Sequence, residues 1–288
     1  MAVAFARLLR ERKLLSETIV KTTAMAIGSH WQARLGANSS GGEGAERRHV
    51  VENLSLIFLM SIFTSLVVVA AEEAEEALAQ VNADDSAVVD EDEEVPLAQR
   101  ITAVLRRLLP SLRIMSRWLK SHIEYVGRLA PASPEVARSV TSFWSSYKRL
   151  MFALAQVFPL AQLPELDQPL EEDRDMRGFA PLRGHRAAAS NDEELPPSNG
   201  EVHPNEEQLM RLADLLVDVK LLMQTDVGLR ALSNLDNQAS QAVEIQSQAE
   251  TEDDPVNLAM RASLGADGIS VGAASADDDD EVILWGNR

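Results

Sequence analysis

The sequence contains no cysteine. That absence excludes a disulfide framework, a thiolate nucleophile and any cysteine-ligated zinc, and it suits an intracellular protein. Aromatic residues are scarce at 5% of 288 positions, too few for the Tyr-, Phe- and Trp-rich faces of a β-sandwich. The N-terminus shows no secretory signal, and no fixed-period repeat runs along the chain. The apolar content of 45% is carried mainly by Ala, Leu and Val, which pack helices well and can fill one or two domains.

Charge is plentiful but unevenly placed. The net charge is −18, yet residues 95–150 hold ten Lys or Arg against only Glu124 and Glu135, a local balance of +8 that leaves −26 for the remainder. Acids crowd into residues 72–94, 171–194 and a tail ending ADDDDEVILW. Such blocks repel themselves and favour solvated chain, so residues 83–95 and 235–288 are expected to be a disordered acidic linker and a disordered acidic tail.

Helical periodicity dominates the rest. Residues 2–35 read as one long helix carrying Phe5, Leu8, Leu9, Leu15, Ile19, Ala26 and Trp31, with no proline and no glycine before Gly28. Its Arg-rich start has the flavour of a mitochondrial presequence, but Glu11 and Glu17 interrupt it and the pattern continues to Trp31. A second helix is expected over residues 46–81. Its middle, residues 53–71, is 19 residues without a charge, long enough for a single membrane span. The competing reading, favoured by Asn53, Ser55, Ser61, Thr64 and Ser65 within the run, is a helix buried among soluble neighbours.

A third helix is expected over residues 96–130, bent at Pro110. Arg106, Arg113, Arg117, Lys120 and Arg128 share one of its faces, at spacings of seven, four, three and eight. Such a stripe could follow nucleic-acid phosphates or could simply be a solvated face. SPEV then predicts a helix start, with Ser133 as N-cap, Pro134 in the first turn and Glu135 at the positive end of the dipole. The apolar stripe from Val136 to Phe158 stops at Pro159. A connector, residues 159–204, leads to a last amphipathic helix capped by Asn205 with Gln208 reaching back. The expected architecture is all-α: elongated antiparallel helical hairpins, solenoid-like, over residues 1–234.

Inside the connector lies LEEDRDMRGFAPL, residues 170–182. An acidic pair, Glu172 and Asp173, is followed by Met176, Arg177, Gly178, Phe179, Pro181 and Leu182. Gly178 permits a positive φ, Pro181 fixes the exit, and Phe179, Met176 and Leu182 can each bury about 2 kcal/mol of apolar surface. Pairing of Arg177 with Glu172 or Asp173 is expected. This run resembles the hallmark loop of the Est/Smg family, the telomerase-associated Est proteins and the Smg nonsense-mediated mRNA decay factors. The flanking FWSSYKRLMFALAQVF, EEQLMRLADLL and DDDDEVILW extend the resemblance over most of the chain. Met176 stands where leucine is commoner.

The resemblance implies an α-helical DNA/RNA-binding scaffold in decay or telomerase complexes, in contact with RNA or telomeric DNA and located in the nucleus or cytoplasm. Phosphopeptide recognition and nuclease activity, which other family members carry on a tetratricopeptide-like domain and a PIN domain, are not implied: no 34-residue repeat is present and the segment beyond the acidic tail is too short.

No reaction chemistry stands out. Gly268-Ile269-Ser270-Val271-Gly272 matches a nucleophile elbow, but no strand precedes it. His30, His49, His122, His185 and His203 lack metal-ligand spacing and read as ordinary polar positions. The glycines of GGEGAERR lack a phosphate-loop pattern. The expectation is therefore a scaffold with no catalytic residue, no metal, no cofactor and no small-molecule substrate.

Overall fold

The computed structural model describes residues 2–38, 44–86, 96–166, 168–182 and 202–228. The chain divides into two units, Met1–Asp236 and Asn237–Arg288, and every described residue belongs to the first. The expected tail, the nucleophile-elbow match and His185 lie outside the described residues, as do most of the expected acidic linker and part of the connector.

The fold is all-α; no strand occurs among the described residues. Among the described residues the α-helices with both ends defined are α1 (Ala2–Arg10), α2 (Ser16–Asn38), α3 (Ala45–Ser86), α4 (Ala103–Leu129), α5 (Pro134–Val157), α6 (Glu171–Asp175) and α7 (Pro204–Met223). Contacts between them fix their directions. Ser16 meets Arg107 while Trp31 meets His122, so α2 and α4 run parallel. Asn205 meets Arg106 and Asp218 meets Lys120, so α7 runs the same way. Phe63 meets Phe143 and Glu75 meets Arg149, so α3 and α5 are parallel to each other. Thr102 on Glu73 and Tyr125 on Glu52 make α3 antiparallel to α4.

The expected single helix over residues 2–35 is in fact two. Arg12 adopts φ 56°, the Lys13 N–H donates to the Leu8 carbonyl at 3.0 Å and the Arg12 N–H to the Leu9 carbonyl at 3.1 Å. This is a Schellman end, which glycine usually occupies, so the sequence carries no visible stop signal. Arg107 secures the turn by donating to the Arg12 carbonyl at 2.8 Å.

The second helix runs past its expected end to Ser86, so the first four residues of the expected linker are helical. In the third expected helix a 3-10 turn, Leu97–Arg100, is separated from α4 by Thr102, whose hydroxyl accepts from the Leu105 N–H. Pro110 sits inside a continuous α4. The Ser133 cap of α5 is as expected. At α7 the cap is His203, not Asn205: the His203 Nδ1 accepts from the Asn205 N–H, and the Asn205 side chain instead accepts from Arg106 at 2.7 Å.

Among the described residues one helix, α3, is long and apolar enough to cross a bilayer. It is the core of the bundle instead. Leu56, Leu59, Met60, Phe63, Leu66, Val67, Ala70, Ala71 and Ala74 are all buried. They pack against α1, α2, α4 and α5. Alanines along its second half let α5 approach closely, and the serines and threonines that interrupt the run bond back to their own helix carbonyls.

Candidate functional site

The loop at residues 170–182 is built outward from Leu170, which is buried. Its N–H donates to Asp173 Oδ2 at 3.0 Å while the Asp173 N–H donates to the Leu170 carbonyl at 3.1 Å, a reciprocal closure that starts α6. Gly178 takes φ 80°, a conformation that glycine adopts without a steric penalty. The chain then turns through a 3-10 helix, Ala180–Leu182. Pro181 is buried, and Met176, Phe179 and Leu182 pack half-buried against the main core. The Phe179 ring lies over Gly28 of α2, where a β-carbon would sit 3.6 Å from the ring. Phe179→Ala is expected to lower stability by about 1–2 kcal/mol, since only part of the ring leaves water. Urea midpoints check this; an unchanged midpoint would exclude a fastening role.

The acidic pair does not meet Arg177, whose side chain is exposed. Glu172 is instead gripped by two buried arginines. Arg113 donates through Nη1 to its Oε1 at 2.6 Å, and Arg211 of α7 donates through Nε and Nη2, both at 3.0 Å. Arg113 also reaches Asp173 at 3.2 Å and Asp214 at 2.8 Å, and Arg117 pairs with Asp173. One turn further on, Lys120 and Ser116 share Asp218. Residues 113, 172 and 211 are each at most 3% exposed.

Burial opposes charge on Glu172, but Arg211 and Arg113 more than offset it and hold its pKa below the ordinary carboxylate value. Burial likewise opposes the Arg113 charge, yet Asp173, Asp214 and Glu172 raise its pKa. At Asp218 burial wins over Lys120, and the pKa rises.

These contacts correct the picture of a solvent-facing stripe on α4. Arg113 is enclosed, and Arg117 and Lys120 hold carboxylates of the loop and α7. Arg106 is spent on Asn205 and on the carbonyls of Ala98 and Ile101. Only Arg128, of the five, is exposed and makes no ion pair among the described residues. Arg211, Asp214 and Asp218 are the site residues that sequence reasoning missed. A signal existed: they interrupt the apolar face of α7 among Leu212, Leu215, Leu216 and Leu222, at a spacing that faces a neighbour rather than water.

A second polar cluster sits near the C-terminus of α2. His30, 2% exposed, meets Ser55 Oγ at 2.9 Å, and its Nε2 has no partner. It lies 5.9 Å from Trp118 and 5.6 Å from Tyr125, while His122 stacks on Trp118 at 4.8 Å. His30 and His122 are therefore buried core groups, which corrects their reading as ordinary polar positions. Burial first, then Arg34 and His122, push the His30 pKa down to about 4. An unfolded histidine protonates near 6.5, so stability is complete above that pH and is lost as pH falls toward about 4, by roughly 3 kcal/mol in full. His30→Gln is expected to flatten the fall in urea midpoint between pH 7 and 5; an identical slope would contradict this.

Among the described residues no group of three or more His, Cys, Asp or Glu could hold a metal ion. What the fold and site define is a helical scaffold whose loop is locked by buried ion pairs. Residues 1–186 match the model of the Est1 DNA/RNA binding domain, and the chain belongs to that family, a family of non-catalytic binding domains. No curated protein and no solved structure matches the chain. The match ends before α7, which nevertheless supplies Arg211, Asp214 and Asp218.

Proposed function

We propose that the protein is a non-enzymatic nucleic-acid-binding scaffold acting in nonsense-mediated mRNA decay or telomerase complexes, in the nucleus or cytoplasm. Membership of the Est1 DNA/RNA binding domain family is the observation that carries this reading. The geometry supports a division of labour. Glu172, Asp173, Met176, Gly178, Phe179, Pro181 and Leu182 fasten the loop; Arg106, Arg113, Arg117 and Lys120 hold α4 to the loop and α7; Arg128 remains open to a phosphate. Arg177 is exposed, which suits contact with a partner protein. Affinity purification from cells, with and without RNase, followed by mass spectrometry, tests the assignment. Recovery of decay or telomerase proteins, part of it lost on RNase treatment, is expected. Recovery of neither set, together with no retention on single-stranded RNA or DNA, would remove it.

A further inference from the structure

Residues 2–27 contain no proline and no glycine, so the local sequence favours one uninterrupted helix from α1 into α2. The fold breaks that helix. α1 runs along α3 in the same direction: Val3 and Ser61 line one groove, and Arg10 meets Glu72 at 2.7 Å. α2 returns the other way, carrying His30 to Ser55, so α1 and α2 close as a hairpin over α3. The reversal is concentrated in residues 11–15, where Arg12 holds φ 56°. A side chain with a β-carbon is disfavoured in that conformation, whereas glycine adopts it freely. Local preference and tertiary packing therefore oppose each other at one residue.

The residues around this turn carry two further observations. Leu15, at its end, is 68% exposed; in a continuous helix it would join the stripe of Leu8 and Ile19, at spacings of seven and four. α1 is nine residues long, too short to stay helical by itself in water. It is held by Phe5, Ala6 and Leu9, which are buried in the main core. The turn itself is latched from α4. The Arg107 guanidinium donates to the Arg12 carbonyl at 2.8 Å, and the Arg107 carbonyl accepts from Ser16 Oγ at 3.1 Å.

We propose that α1 is exchanged between two copies of this chain: the hairpin opens at Arg12, α1 and α2 join as one straight helix, and each α1 docks on α3 of the other copy. The exchange restores the contacts of Phe5, Ala6, Leu9 and Arg10, because the receiving site is the one α1 occupies in the single chain. It also returns both Arg12 residues to helical backbone and brings one Leu15 from each copy to the crossing of the two straight helices. Against this stand the lost Arg107 latch and the entropy of association. Protein concentration and the hinge together set the balance, and short strained hinges favour exchange. The exchange is independent of nucleic-acid binding.

The full chain, refolded from urea at micromolar and at near-millimolar concentration and measured by size-exclusion chromatography with multi-angle light scattering, tests it. The wild type is expected to yield a dimer whose share rises with concentration during refolding. Arg12→Gly relieves the closed hinge and weakens the straight helix in both chains, so it is expected to lower the dimer association constant about tenfold or more. Arg107→Ala removes the latch and is expected to raise it about fivefold. Leu15→Ser, at a position exposed in the single chain, is expected to lower it about fivefold. A cross-linking arm identifies the exchanged element. The sequence has no cysteine, so Arg10→Cys combined with Glu72→Cys places one reactive pair at an exposed contact of α1 with α3. A short bismaleimide is expected to join two chains in the isolated dimer and to close within one chain in the monomer, as read on a denaturing gel. A dimer cross-linked only within its chains is a side-by-side association and overturns the exchange. A dimer that Arg12→Gly leaves unchanged overturns the hinge on which the proposal rests. Wild type and Arg107→Ala that both stay monomeric at every concentration overturn it outright.

Discussion

Glu172→Ala is expected to destabilise the folded unit by about 3–5 kcal/mol, because it leaves Arg113 and Arg211 charged and buried without their shared partner. At about 2–4 °C per kcal/mol for a unit of this size, the melting temperature should fall on the order of 10 °C. The pair is buried, so added salt should recover little of the loss. The wild type has a matching pH signature. The Glu172 pKa is depressed in the fold, so the stability it contributes is present above the ordinary carboxylate pKa of about 4.3 and is lost as pH falls below it. Glu172→Ala should therefore show a shallower fall in midpoint below pH 4.5 than the wild type. Urea unfolding at pH 7 and pH 4 measures both effects. A loss under 1 kcal/mol at pH 7 would mean that the arginines find other partners and that the loop is not held by this carboxylate.

Phe63→Ala should cost a similar amount, about 3–5 kcal/mol. The ring is fully buried, edge-on to Trp118 at 5.6 Å and 6.2 Å from Phe143, so it joins α3, α4 and α5 at one point. Truncation removes the transfer free energy of the ring and leaves a void that three helices cannot close together. The substitution also tests what α3 is for. In a lipid-facing helix the same change would hardly affect the stability of the remaining helices in solution, whereas here it should unfold them at lower urea in one cooperative transition. A midpoint within experimental error of the wild type would place Phe63 outside the core.

The helices were legible because their signals are local. The Ser133 cap followed by Pro134 and Glu135, and the apolar stripe from Val136 to Phe158, describe α5 completely. Residues 53–71 satisfied two solvents equally well by composition, and only the neighbours supplied by α1, α2, α4 and α5 decide between them. The break at Arg12 carries no local signal, because a residue other than glycine holds the left-handed turn there.

The candidate site was half legible. Glu172, Asp173 and Phe179 stand out within their loop, and Arg113 and Arg117 stand out on α4. That they are one another's partners depends on pairings 56 to 60 residues apart in the chain, which periodicity does not encode. The tempting local pairing of Arg177 with its acidic neighbours fails because Gly178 turns the chain and leaves Arg177 in solvent. The His30, Tyr125 and Glu52 cluster was invisible for the same reason: its members come from three helices, and each looks unremarkable on its own.

A double-mutant cycle between Arg211 and Glu172, read as urea-unfolding free energies of Arg211→Met, Glu172→Leu and the combined variant, tests most directly whether buried charges clasp the loop to α7. The account predicts that each single substitution is strongly destabilising and that the double is less so than their sum, with a coupling of about 1–3 kcal/mol. Additive losses would contradict it, because they would mean that the two side chains act independently and that Arg211 does not hold the loop through Glu172.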